Sequence, residues 1–262
     1  MAEINIAYLE YRLSGGAANT NQNSSLGGIM SSQRIFSKSV SGISTITGVV
    51  LDDAPGSIAG NGTLTYTASG TTLAWTPNGG TIGTAQDVSS DGRYALFDFT
   101  ESQALFVTVT AASLPGTDQT DTIAVAALLN KTFDDISKSE SFHGDDEYRG
   151  YYLYNAHATE PFLGPKLFIH QQPTGADTLE VGIDAAGVGD GSTTGVAVTI
   201  ADESTAPVGV TFSAPADSGA GISLPDLAAS QAHGWWQHRT VAADTLVSTP
   251  ADASAVAFYV GY

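Results

Sequence analysis

Apolar residues recur at every second position through much of this chain, the period of a strand whose side chains point alternately to its two faces. Ile4, Ile6 and Tyr8 alternate with Ala7, Leu9, Tyr11 and Leu13, so a strand over residues 4–13 is apolar on both faces and suits burial in a sandwich or against a partner chain. Tyr148, Gly150, Tyr152 and Tyr154 alternate with Arg149, Tyr151 and Leu153, again with large β-favouring side chains on both faces. Asn155, Ala156, His157 and Ala158 supply a turn, and residues 166–170 resume as a strand before Gln171, Gln172 and Pro173 stop it. Further strands are expected over 178–184, 195–200, 208–212, 234–240 and 255–260. Residues 184–191 read as a loop, and Leu224-Pro225-Asp226-Leu227 reads as a corner. No window of ten or more residues carries a helical period bounded by caps.

From about 41 to 127 the texture changes to short strands at even spacing. Leu64 with Tyr66, Leu73 with Trp75, and Leu105 with Val107 and Val109 keep the period of two. Strands are expected over 63–67, 72–75, 81–85, 93–99 and 104–111, with a turn at Pro77-Asn78-Gly79-Gly80. This is the pattern of an immunoglobulin-like sandwich of roughly a hundred residues, with Trp75 as a core residue. Residues 14–32, by contrast, are Gly, Asn, Ser and Ala without period. Their composition suits a linker, but Leu26, Ile29 and Met30 favour an ordered loop lying over the domain or on a neighbouring subunit. Asn19, Asn21 and Asn23 would give side-chain hydrogen bonds to its backbone.

Composition sharpens the class. With 262 residues the chain holds one large or two ordinary domains, and 29 Gly with only 14% charged residues point to an all-β fold rich in turns. The net charge of −18, with nine scattered Lys and Arg, argues against nucleic acid as a partner, because binding duplex needs a clustered basic face. Such acidity suits a soluble protein assembled after synthesis. There is no cysteine, hence no disulfide frame and no thiolate metal site. The first residues, MAEINIAYLEYRL, do not read as a signal peptide, and no apolar run approaches the ~18 residues of a membrane-spanning helix. Cytoplasmic synthesis, with lysis or assembly into a particle as the route if the protein leaves a cell, is the expected course.

Candidate chemistry is sparse. His143, His157, His170, His233 and His238 form no metal-ligand motif, and His233 and His238 would lie on opposite faces of one strand. Asp52-Asp53, Asp134-Asp135, Asp145-Asp146-Glu147 and the Asp184 to Asp190 loop could each lend oxygens to a structural Ca²⁺, the one cofactor the sequence leaves open, although none follows an EF-hand spacing. Solvated turn residues are the simpler account of them. No acid pair stands out as a glycosidase pair, and the Gly-rich run at 187–195 lacks the Lys and helix of a phosphate cradle. Trp235 and Trp236 sit at adjacent positions, so one is expected in the core and the other exposed, at a subunit contact rather than on a sugar.

Residues 14–28 (SGGAANTNQNSSLGG), 133–159 (FDDIS, then GDDEYRGYYLYNAHAT) and 199–215 (TIADESTAPVGVTFSAP), with WWQHRTV at 235–241, resemble a group of tailed-bacteriophage virion proteins. The resemblance covers residues 1 to about 40 and 130 to 262. It implies that the block between them, residues 41–129, is an immunoglobulin-like domain inserted into a discontinuous outer β-sandwich domain of 1–40 plus 130–262. It implies a non-enzymatic structural protein, of the tail or baseplate, that self-associates and docks with other virion proteins in a symmetric assembly. Asn19, Asn21, Leu26, Tyr148, Tyr152, Trp235 and Trp236 are the interface candidates. A head decoration protein, or a module binding a host surface glycan, are the alternatives.

Overall fold

The computed structural model describes residues 8–35, 40–53, 60–77, 80–97, 104–125, 132–134, 136–173, 175, 177–244 and 255–261. In chain order the strands are β1 (Leu9–Leu13), β2 (Val40–Ser41), β3 (Val49–Asp53), β4 (Gly60–Thr67), β5 (Thr72–Pro77), β6 (Gln86–Asp87), β7 (Gly92–Phe97), β8 (Ala104–Val109), β9 (Gln119–Val125), β10 (Asp145–Asn155), β11 (Leu163–Gln171), β12 (Asp177–Gly189), β13 (Ile222–Ser223), β14 (Ala232–Val241) and β15 (Ala255–Gly261). A short helix, α1 (Lys138–His143), precedes β10. The fold is all-β, with antiparallel pairing between the strands. It divides into two compact units: Leu9–Ile35 and Lys131–Tyr262 belong to the outer one, and Phe36–Asn130, with Tyr8, to the inner one.

The inner unit holds two sheets, ordered β2-β9-β4-β5-β6 and β3-β8-β7. The alternation seen in the sequence turns one face of each sheet into a shared core. Leu64, Tyr66, Leu73, Trp75 and Ile123 come from the first sheet, and Val49, Leu96, Leu105, Val107 and Val109 from the second. A Cβ on Gly62 would stand 1.9 Å from the Trp75 ring, so glycine there makes room for the far edge of the indole. The buried Asp121 carboxylate ties in the chain ahead of β3. It accepts from the backbone N–H groups of Ser44, Thr45 and Ile46 and from the Ser44 and Thr45 hydroxyls.

The outer unit also holds two sheets, ordered β1-β10-β14-β12 and β13-β11-β15. On one face of the larger sheet Tyr151, Leu153, Val181 and Trp235 are buried. Leu167 and Ile169 of the smaller sheet are buried too. One extended stretch bonds to both sheets: the Val181 N–H donates to the Ser213 carbonyl (2.8 Å) and the Ile169 N–H to that of Pro215 (2.8 Å). The opposite face of the larger sheet centres on Trp236. Its register partners are Gly150 on β10 and Gly182 on β12, and Gly234 lies two residues before it. Ideal Cβ atoms on these three glycines would lie within 3.1 Å of Trp236, Val210 or Asp184. Bare backbone around the indole therefore lets an irregular layer approach this face closely.

Several expected boundaries differ, for physical reasons. Residues 195–200 and 208–212 alternate like strands but do not form them. Their amides find other partners: Ala197 donates to the Tyr152 hydroxyl, Val198 to Asp184 and Ile200 to the Leu26 carbonyl. Residues 184–189, expected as a loop, continue β12, with the irregularity absorbed by a register shift between Ile183 and Val188. Residues 81–85 are irregular and only Gln86–Asp87 pairs as a strand, the Gly83 N–H being taken by the Trp75 carbonyl. Strand β8 stops at Val109, and Ala111–Ser113 forms a 3-10 turn. The expected strand residues 4–7 and 98–99 and turn residues 78–79 lie outside the described residues. Helix α1 arises from a Ser137/Glu140 capping box and ends at Gly144, φ +79°.

Candidate functional site

The layer over the Trp236 face is built from residues 14–32 and 195–213. The buried Ser14 hydroxyl donates to the Gly150 carbonyl (2.6 Å) and accepts the Gly27 N–H (3.0 Å), while the Gly150 N–H donates to the Ser25 carbonyl (2.7 Å). The Tyr152 hydroxyl donates to the Gly28 carbonyl and accepts the Ala197 N–H, both at 2.7 Å. Gly27 adopts φ +82°, and a Cβ there would collide with the Val198 carbonyl at 1.7 Å, so the close approach of the two loops requires glycine. The asparagines hold the outer bend: Asn19 Nδ2 donates to the Ser14 carbonyl (2.6 Å), and Asn19 Oδ1 accepts the Asn21 N–H (2.9 Å). Asn21 Oδ1 accepts the Asn23 N–H (3.1 Å) and so caps the 3-10 turn at Gln22–Ser24. The Gly/Asn-rich segment is thus an ordered loop lying over its own unit.

The interface candidates separate by burial. Asn21 is exposed, Asn19, Leu26 and Tyr148 are half-buried, and Tyr152, Trp235 and Trp236 are buried. The expectation that one tryptophan is exposed fails because both faces of β14 are covered. Trp235 packs with Tyr151, ring centres 5.2 Å apart. Trp236 lies under the loop layer and donates its Nε1–H to Asp184 (2.7 Å). Neither ring offers a platform to a sugar or a subunit.

A charge network sits beyond the end of β1, where the Glu203 carbonyl accepts the Tyr148 N–H (2.7 Å). Among the described residues, Asp134, Glu147 and Glu203 are the one group of three acidic or imidazole side chains close enough to share an ion, their ligand atoms lying within 4.8 Å of one another. Two guanidiniums thread that group. Arg239 pairs with Glu147 and donates to the Asp134 carbonyl (3.0 Å), and Arg149 pairs with Glu203 and stands 3.8 Å from both Asp134 and Glu147. The Phe133 ring lies under Arg239 at 4.8 Å and near Arg149 at 5.7 Å. Burial pushes the Glu147 carboxyl up to about 7, with Arg239 pulling against it. The arginines supply the positive charge a metal would bring, so the arrangement serves as an ion-pair clamp on residues 132–134. The carboxylate runs in the sequence pointed to Asp134 and Glu147. Glu203 carried no signal beyond its place in the segment at 199–215.

The remaining chemistry-bearing residues lie at several separate places, with His238 meeting Asp146 and Glu180. Asp184 is satisfied by Trp236, Val198 and Ala186, and Asp190 by the amides of Ser192, Thr193 and Thr194. His143 lies in α1, His157 accepts two amides in the turn after β10, and His170 is exposed on β11. His233 is buried, with Nδ1 on the Gly234 carbonyl (2.8 Å), and burial holds it below its usual value. His238 lies on the other face of β14, among Asp146, Glu180 and Tyr148. Set against known proteins, the chain matches no family model, no curated protein and no solved structure.

Proposed function

We propose that this chain is a non-enzymatic structural protein of a bacteriophage virion, of the tail or baseplate, working by self-association and docking in a symmetric assembly. One observation carries the reading. The segments behind the resemblance, far apart in the sequence, are hydrogen-bonded to one another in the outer unit. Ser14 and Ser25 bond to Gly150, Glu203 to Tyr148, and Leu26 to Ile200. Segments that build one face together have a physical reason to occur together, whereas a likeness of composition alone has none. In this reading the inner unit, two sheets about one core, is an immunoglobulin-like module carried by the outer one. Docking falls to the accessible part of the loop layer, Asn19, Asn21 and Leu26, with Tyr148 as the aromatic contact.

The test is immunogold electron microscopy of purified particles, with antibody raised against the inner unit. Label at the tail tip is the expected outcome. Even label over the head would reassign the protein as a decoration protein, and unlabelled particles from a lysate that blots positive would remove the virion reading.

A further inference from the structure

His238 sits on the Trp236 face of β14, in register with Tyr148 on β10 and Glu180 on β12. Its Nδ1 lies 3.1 Å from Glu180 Oε2 and its Nε2 2.8 Å from Asp146 Oδ1. The Thr240 hydroxyl donates to the same Asp146 oxygen at 2.8 Å and stands 3.2 Å from Nε2. The imidazole stacks on Tyr148, with ring centres 4.4 Å apart and planes 7° apart. From the loop layer Phe212 meets the imidazole edge-on at 5.4 Å and Tyr148 at 5.5 Å. The titratable and charged groups facing the ring are thus Asp146 and Tyr148 from β10 and Glu180 from β12. Thr240 from its own strand and Phe212 from the loop layer complete its surroundings.

Both ring nitrogens face carboxylate oxygens. An ionised carboxylate only accepts hydrogen bonds, and a neutral imidazole carries a single N–H. A neutral ring would therefore set a bare nitrogen against one carboxylate, whereas the imidazolium donates to both. Burial pushes the Asp146 carboxyl up, but the bonds from Thr240 and His238 more than offset it and hold it below its ordinary value, so it meets the ring as an acceptor. Gly182 puts bare backbone under Val210 and Phe212: a Cβ there would lie 2.5 Å from Val210 Cγ1 and 3.4 Å from the Phe212 ring. The next residue, Ser213, exchanges two backbone hydrogen bonds with Val181 at 2.8 and 3.0 Å.

We propose that His238 is a pH-sensitive clasp: its doubly protonated ring links β10, β14 and β12 and seats Phe212, holding residues 207–213 on the sheet, and loss of one ring proton loosens that stretch. The clasp is closed on the acid side of the ring's own titration and open on the alkaline side.

NMR of the full chain labelled with ¹⁵N tests this by following the His238 ring nitrogens and the exchange of the Ser213 amide together. Both ring nitrogens should carry a proton wherever Ser213 is fully protected, since each faces a carboxylate oxygen. Ser213 protection, corrected for intrinsic exchange, should fall about two- to fivefold across the ring's titration, the range expected for one partly exposed charge pair. In His238→Gln it should stay flat. The same pH dependence in that variant, or a flat response in the unaltered protein, would overturn the proposal. Should His238→Gln fail to fold, Asp146→Asn at the exposed side of the clasp replaces it: a reduced response supports the clasp, and an unchanged one overturns it.

Discussion

Replacing Trp236 with alanine should test the architecture of the outer unit most directly. The indole is fully buried, and truncating a buried Trp costs about 3 to 5 kcal/mol depending on how far the site collapses. Here collapse is obstructed. The same-face neighbours Gly150, Gly182 and Gly234 have no side chains to swing into the gap, and the loop layer is pinned through Ser14, Tyr152 and Ser25. The cost should therefore fall at the upper end. Asp184 also loses the Nε1–H while keeping the Val198 amide, which adds about 1 kcal/mol. A total of about 6 kcal/mol is comparable to the whole stability of a modest domain, so the outer unit should be largely unfolded or marginal while the inner unit stays folded. Urea unfolding followed by amide exchange reads the units separately. Trp236→Phe, which fills part of the site, should recover about half the loss. A measured cost of Trp236→Ala under about 2 kcal/mol would mean that the loop layer settles onto the sheet, and the argument from bare glycines would be wrong.

Three further outcomes are expected. Because Glu147 is raised from an ordinary 4.5 to about 7, the folded protein holds a proton there that the unfolded chain releases. That group's contribution to stability should grow as pH falls from about 7 to 4.5 and be lost as pH rises through about 7; the difference between the urea midpoints of the unaltered protein and Glu147→Gln across that window measures it. Asp121→Asn should cost the inner unit about 2 to 3 kcal/mol, since an amide turns a donor toward the N–H groups at 44–46; faster exchange of the Ile46 amide is the readout. Limited proteolysis of the isolated protein should spare residues 14–32, whose backbone is bonded to Gly150, Ala197 and Gly191, and rapid cleavage there would contradict the ordered loop.

How far the sequence revealed this molecule depended on where each backbone group finds its partner. Strands such as Tyr148 to Tyr154 were legible because alternating aromatic and aliphatic side chains there coincide with ladder pairing. Residues 195–200 and 208–212 read as strands from the same alternation, yet Tyr152 and Asp184, distant in the chain, take the amides of Ala197 and Val198. Periodicity is local and does not register such capture. The two tryptophans misled for a related reason: strand geometry put them on opposite faces, but nothing local announced that a layer without regular structure covers the second face. Glu203 was invisible as the partner of Arg149, because only the folded loop brings it to β10. The Ser137 and Glu140 spacing that caps α1, by contrast, was present to be read, in a run shorter than a helical period can be judged.

The stretch at 213–215 also has a mechanical meaning. Bonded to Val181 on one sheet and to Ile169 on the other, it passes tension from sheet to sheet through backbone amides. The paired Val181 and Ser213 bonds lie across the strand direction, so a pull along β12 strains them together instead of opening them in turn. Resistance to stretching should be greater along the strands than across them, and forced extension should find its first yielding point away from this seam.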